Sequence, residues 1–158
     1  MKNSVLFKSL IDIFFVFHII GFIAMLLKFP MGFIDVENIA KPQLLDWVFL
    51  AINTICYLIF LKGLYFLRKL ARAFLSQKYF ADSIAVNMKI SGTHFISAGL
   101  ISVLTLWSGK LLNLNLEPVY RSFVITPVFL IIVGLFFVIQ SKTLLLAIRL
   151  KSENDLTI

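Results

Sequence analysis

Cysteine is almost absent from the chain. Cys56 is the single one and lies inside an apolar run, so an intrachain disulfide, a CxxC redox pair and a thiolate metal cage are all excluded. Histidine is nearly as scarce, with only His18 and His94. Acidic residues number eight against fifteen Lys and Arg, and no HExxH, nucleophile elbow, P-loop or paired-carboxylate motif occurs. We therefore expect no enzyme activity, no catalytic residue, no metal and no cofactor. No repeat of fixed period relates one half to the other, which leaves inverted-repeat transport without support. A signal-peptide cleavage pattern is also missing after the first apolar stretch, where Met25, Leu26, Leu27, Lys28, Phe29 and Pro30 follow one another.

What the chain has in excess is apolar sequence. Of its 158 residues 60% are hydrophobic, 17 are Phe, and the mean hydropathy is +0.97. Several runs are long enough to cross a hydrocarbon layer of about 30 Å. A single membrane domain is expected, with spans at about 10–27, 45–67, 90–108 and 123–142. Lys28 and Pro30 are expected to stop the first helix, and Asp82 or Ser83 to cap the third. Gly92 and Gly99 allow close helix approach.

Three stretches read as helical extensions on the cytoplasmic side, at about 68–76, 80–89 and 143–151. A continuous helix over 45–75 would measure about 46 Å, so its last turns must leave the bilayer. The 100° step per residue gathers Lys62, Tyr65, Arg68, Lys69, Arg72 and Ser76 on one arc and leaves Leu64, Leu67, Leu70, Ala71 and Phe74 on the other. The basic arc suits anionic headgroups or a soluble partner. In the two outer loops, 34–37 and 112–117 alternate apolar and polar residues and predict short strands.

The net charge of +7 would point to nucleic acid in a soluble chain, but here the cations flank apolar runs, and no nucleic-acid module is visible. Eleven of the fifteen Lys and Arg fall at the N-terminus, in 62–89 and near the C-terminus. Lys28, Lys41, Lys110 and Arg121 occupy the intervening loops. The positive-inside rule then places both termini in the cytoplasm. The expected fold is an all-α membrane protein, an antiparallel four-helix bundle with N-in and C-in orientation and short strands in its outer loops.

Residues 80–92, from Phe80 to Gly92, and the C-terminal run Leu150, Lys151, Ser152, Glu153, Asn154, Asp155, Leu156, Thr157, Ile158 carry a resemblance. In both, the sequence resembles the DUF2975 family of bacterial membrane proteins, whose biochemical function is unknown. Ile84 stands where an Asn is common and Ser91 where an apolar residue is usual. The resemblance implies a four-helix protein of a bacterial inner membrane and a small helix-turn-helix transcriptional regulator as partner. It carries over no catalytic residue.

Ionisable groups inside a membrane are functional candidates by default. Asp12 lies near the cytoplasmic end of the first helix, where Lys8 or the 68–72 group can pair with it. His18 and His94 raise a bis-histidine haem, but their levels differ by five residues, about 7.5 Å along a helix axis, too much for one iron. Asn53, Thr54, Thr93, Ser97 and Thr105 read as interhelical glue. The leading expectation is a regulatory or interaction protein whose partner meets Arg68, Lys69, Arg72, Phe80 and Asn87 in the turn and Glu153, Asp155, Leu156 and Ile158 in the tail, the tail otherwise being a frayed terminus. The alternative is a small transporter or lipid-binding protein with Asp12, His18, Asn53 and His94 lining a cavity between helices.

Overall fold

The computed structural model describes residues 2–32, 44–76, 82–111 and 125–155. They form four helices: α1 (Lys2–Gly32), α2 (Leu44–Leu75), α3 (Asp82–Leu111) and α4 (Ile125–Asp155). Each is long and apolar enough to cross a membrane. No strand occurs among the described residues, and 34–37 and 112–117, where strands are expected, lie outside them.

The helices overrun the spans that hydropathy marks. α1 begins at Lys2 and continues past Lys28 and Pro30 to Gly32, so the expected stop does not act there. Pro30 removes one backbone donor, but only Met31 and Gly32 follow it, so the loss falls in a last turn. Asp82 stands in the first turn of α3, where its charge suits the helix N-terminus. Ser76 closes α2, its N–H donating to the Arg72 carbonyl at 3.3 Å and its hydroxyl to the Ala73 carbonyl at 2.9 Å. α4 runs to Asp155 and takes in 152–155, beyond the helical extension expected over 143–151.

Neighbouring helices are antiparallel. Phe7 meets Phe74 and Asp12 meets Arg68 between α1 and α2. Cys56 meets Ala98 and Ser102, and Ser91 meets Gly63, between α2 and α3. The α3–α4 contact pairs Phe95 with Phe137 and Gly92 with Gly134. The bundle expected from four spans is not closed, however. Among the described residues α1 packs on α2, α2 on α3 and α3 on α4, while α1 and α4 stand at the edges of the row without touching. Lipid tails solvate an apolar helix face as well as another helix does, so no hydrophobic force closes the ring.

The core sits where the two central helices meet. Leu64, Leu67 and Leu70 of α2 pack with Ile84 and Phe95 of α3, flanked by Ile11 and Phe15 from α1 and Phe137 and Leu144 from α4. Gly63 makes room for this cluster, because a Cβ added there would lie 2.7 Å from the Phe95 ring. Along α2 the burial follows the 100° step, with Leu64, Leu67, Leu70 and Ala71 buried and Lys62, Tyr65, Lys69 and Arg72 exposed.

Candidate functional site

Charge concentrates where α1 and α2 meet. The Nε–H of Arg68 donates to Oδ1 of Asp12, and the Lys8 ammonium lies 3.2 Å from the other carboxylate oxygen. Lys8 and Asp12 are one helical turn apart, which puts both on the α1 face turned to α2. The Arg68 guanidinium also lies over the Phe15 ring, 5.3 Å from its centre. Arg68 therefore leaves the exposed arc of its neighbours and becomes the clasp that holds α1.

A ring of aromatic side chains lies further along the same contact. His18 packs on Phe14 (4.1 Å between ring centres) and Phe60 (5.2 Å), and Tyr57 stacks on Phe22 at 5.3 Å. The Tyr57 hydroxyl donates to the His18 backbone carbonyl at 3.1 Å. Nδ1 of His18 lies 2.8 Å from the Phe14 carbonyl of its own helix. His94 makes the equivalent contact with the Ile90 carbonyl at 2.7 Å and lies beside Phe66. The two histidines thus face α2 from different neighbours, one against Tyr57 and Phe60, the other against Gly63 and Phe66.

The four polar residues of the cavity reading are not gathered. Asp12 is held by Lys8 and Arg68, and His18 is six residues away along α1, about 9 Å. Asn53 donates to the Phe49 carbonyl at 2.9 Å, and His94 belongs to the α2–α3 contact. The expectation that Thr54, Thr93, Ser97 and Thr105 join helices is not met. Each donates to a carbonyl three or four residues earlier in its own helix, the usual refuge of a hydroxyl in a helix. Helices are joined instead by Ser91, whose hydroxyl donates to the Gly63 carbonyl at 2.9 Å, by Tyr57, and by Cys56. The Cys56 thiol donates to the Ala98 carbonyl at 3.1 Å and has the Ser102 hydroxyl at the same distance. Ser91 and Tyr57 were legible only as small and amphipathic residues inside long apolar helices.

Of the residues expected to meet a partner, Lys69 and Arg72 are exposed on α2, with the Lys69 ammonium over the rings of Tyr65 and Phe66. Asn87 is half-buried on α3 and Glu153 is exposed on the last turn of α4. Phe80, Leu156 and Ile158, and the side chain of Asp155, lie outside the described residues. Among the described residues no three His, Cys, Asp or Glu side chains come together as metal ligands.

Four helices of spanning length, long and apolar enough to cross a bilayer, define a multi-pass membrane protein. Residues 33–158 match the family described as "Protein of unknown function (DUF2975)", and the chain belongs to that family. The match leaves out α1, the helix that packs on α2 alone. No curated protein and no solved structure matches the chain.

Proposed function

We propose that this is a regulatory or interaction protein of a bacterial inner membrane, with both termini in the cytoplasm, that engages a soluble partner at the inner ends of its helices. The observation that carries the reading is the distribution of exposed cations. Lys62, Lys69, Arg72, Lys89, Lys142 and Arg149 are all exposed and all belong to the same ends of α2, α3 and α4. Cations at that density favour the cytoplasmic side during insertion and hold anionic headgroups afterwards, at about 1 kcal/mol per residue near the surface. Lys62 and Lys142 are placed to snorkel toward those headgroups. The partner that family resemblance implies is a small helix-turn-helix transcriptional regulator, so any contact with DNA would be the partner's and not this chain's.

Two measurements test the reading. Reporter fusions at the C-terminus and within 112–117 should report opposite sides of the membrane, the C-terminus inside. Purification in mild detergent from the native host should then recover a soluble regulator with the full chain and lose it with a chain ending at Ser152. A C-terminus outside, or a regulator absent from both preparations, would overturn it.

A further inference from the structure

The two tryptophans set a depth scale for α2. The contacts of Cys56 with Ala98 and of Gly63 with Ser91 fix an antiparallel register in which Trp47 on α2 lies level with Trp107 on α3. Both are exposed, as residues of an interfacial belt are. A hydrocarbon layer of about 30 Å takes about 20 helical residues, which brings its inner edge to Arg68 and Lys69. The backbone of Lys62 lies about 8 Å short of that edge, inside the hydrocarbon.

The cations at this level are not answered alike. Arg68 turns to α1 and is held by Asp12. Lys62 and Lys69 share the exposed arc of α2, two turns apart, and among the described residues neither pairs with a carboxylate. Lys69 does not reach for the cytoplasm. Its ammonium lies over the rings of Tyr65 and Phe66, 5.0 and 5.4 Å from their centres, one turn back toward the bilayer centre. Lys62 must extend its stem the other way to reach the interface. The two ammoniums therefore converge on one stripe, beside the seam with α3, where the Phe66 and His94 rings lie 5.9 Å apart. Deeper on the same stripe, Leu58 and Ile55 are exposed.

We infer that the α2–α3 seam seats one anionic phospholipid of the inner leaflet, with its phosphate between Lys62 and Lys69 and an acyl chain along Leu58 and Ile55. The inference rests on the inward orientation of the reading above and deepens it, giving one lipid a defined seat where that reading needs only diffuse attraction. Two like charges brought together at the edge of the hydrocarbon are costly without an anion, and the described residues supply none at this place. A lipid phosphate is the anion present at this depth, and a basic seam between membrane helices on the cytoplasmic side is where such headgroups settle. A soluble anion brings no chain to cover Leu58 and Ile55.

The test uses the full chain, delipidated in a mild nonionic detergent, and native mass spectrometry as phosphatidylglycerol or phosphatidylcholine is added. Phosphatidylglycerol should fill one saturable site and bind at least tenfold more tightly than phosphatidylcholine. K62Q/K69Q should weaken it at least tenfold. K142Q/R149Q removes two exposed cations of the same spacing from α4 and should change it less than twofold. All four side chains are exposed, so thermal unfolding in lipid-free micelles should be the same for both variants and the native chain. No preference for phosphatidylglycerol, or binding that survives K62Q/K69Q, overturns the inference. Displacement of the lipid by millimolar inorganic phosphate means a site for a free anion and also overturns it. Equal losses in the two variants mean diffuse attraction to the basic helix ends, which overturns the single seat and leaves the interaction reading standing. Binding in micelles needs neither a soluble partner nor an orientation, so its failure is distinct from the loss of a co-purifying regulator.

Discussion

Gly92 and Gly134 face each other across the α3–α4 contact with reciprocal closeness. A Cβ built on Gly92 would lie 2.6 Å from the Gly134 carbonyl oxygen, and one on Gly134 would lie 2.7 Å from the Gly92 carbonyl oxygen. Neither obstacle is the far end of a flexible side chain, so the helices must separate to admit even a methyl group. In a membrane, where dispersion rather than hydrophobic burial holds helices together, separation removes the attraction itself.

We expect Gly92→Ala and Gly134→Ala each to cost about 1–3 kcal/mol, the usual range for overpacking, seen as a lowered Tm in detergent. Gly21→Ala is the control, because its added Cβ would come no closer than 3.4 Å to the Tyr57 hydroxyl. Because Ala favours a helix over Gly, a Tm lowered as much by Gly21→Ala as by Gly92→Ala would mean that close approach does not govern these positions.

Asp12 and Arg68 give a second test. Their side chains are 22% and 29% exposed, so the pair is neither fully solvated nor sealed, and breaking it belongs between the surface and buried limits, at about 2 kcal/mol. Asp12→Ala should loosen α1 from α2, because Lys8 and Arg68 then share no counter-charge. Arg68→Leu added to Asp12→Ala should recover part of the loss. A double-mutant cycle on thermal unfolding should return a coupling of about 1 kcal/mol or more; zero coupling would make the pair incidental.

How far these features were legible depends on what each demands of its neighbours. Four spans follow from hydropathy alone, and the buried and exposed arcs of α2 follow from the helical step, because Leu64, Leu67 and Leu70 recur at its period. The partners of Asp12 were legible too, since few cations lie within reach of a carboxylate so near a helix end. The open row was not, because residues facing lipid and residues facing α3 have the same composition. Nor could spacing tell that Ser91 reaches across to Gly63 while Thr54, Thr93 and Thr105 turn back on their own helices. A hydroxyl three or four residues beyond a carbonyl always has that local option, and only the neighbouring backbone decides whether a better one exists.

Ser91 is fully buried, and its bond to Gly63 crosses a contact where Phe95 already fills the available space. Interhelical hydrogen bonds in membranes average about 0.6 kcal/mol, so Ser91→Ala should cost little. Ser91→Leu should cost several times more through overpacking, about 1–3 kcal/mol. Chemical unfolding of the two variants in mixed micelles measures the difference; a larger loss for Ala than for Leu would mean that the hydrogen bond, and not the fit of side-chain volume, holds α3 to α2 at this point.

Cys56 reports on that same α2–α3 contact. Its thiol is buried, bonded to the Ala98 carbonyl, with the Ser102 hydroxyl against it. A maleimide needs access to the thiol, and burial in the α2–α3 contact denies it. The native chain should therefore remain unlabelled by a membrane-permeant maleimide and label fully in SDS. Gly63→Val drives a side chain into the Phe95 ring, forces α2 from α3, and should make Cys56 reactive in mild detergent. Gly92→Val opens α3 from α4 instead and should leave Cys56 protected. Were the two variants to label alike, the row would be opening as one unit and not contact by contact.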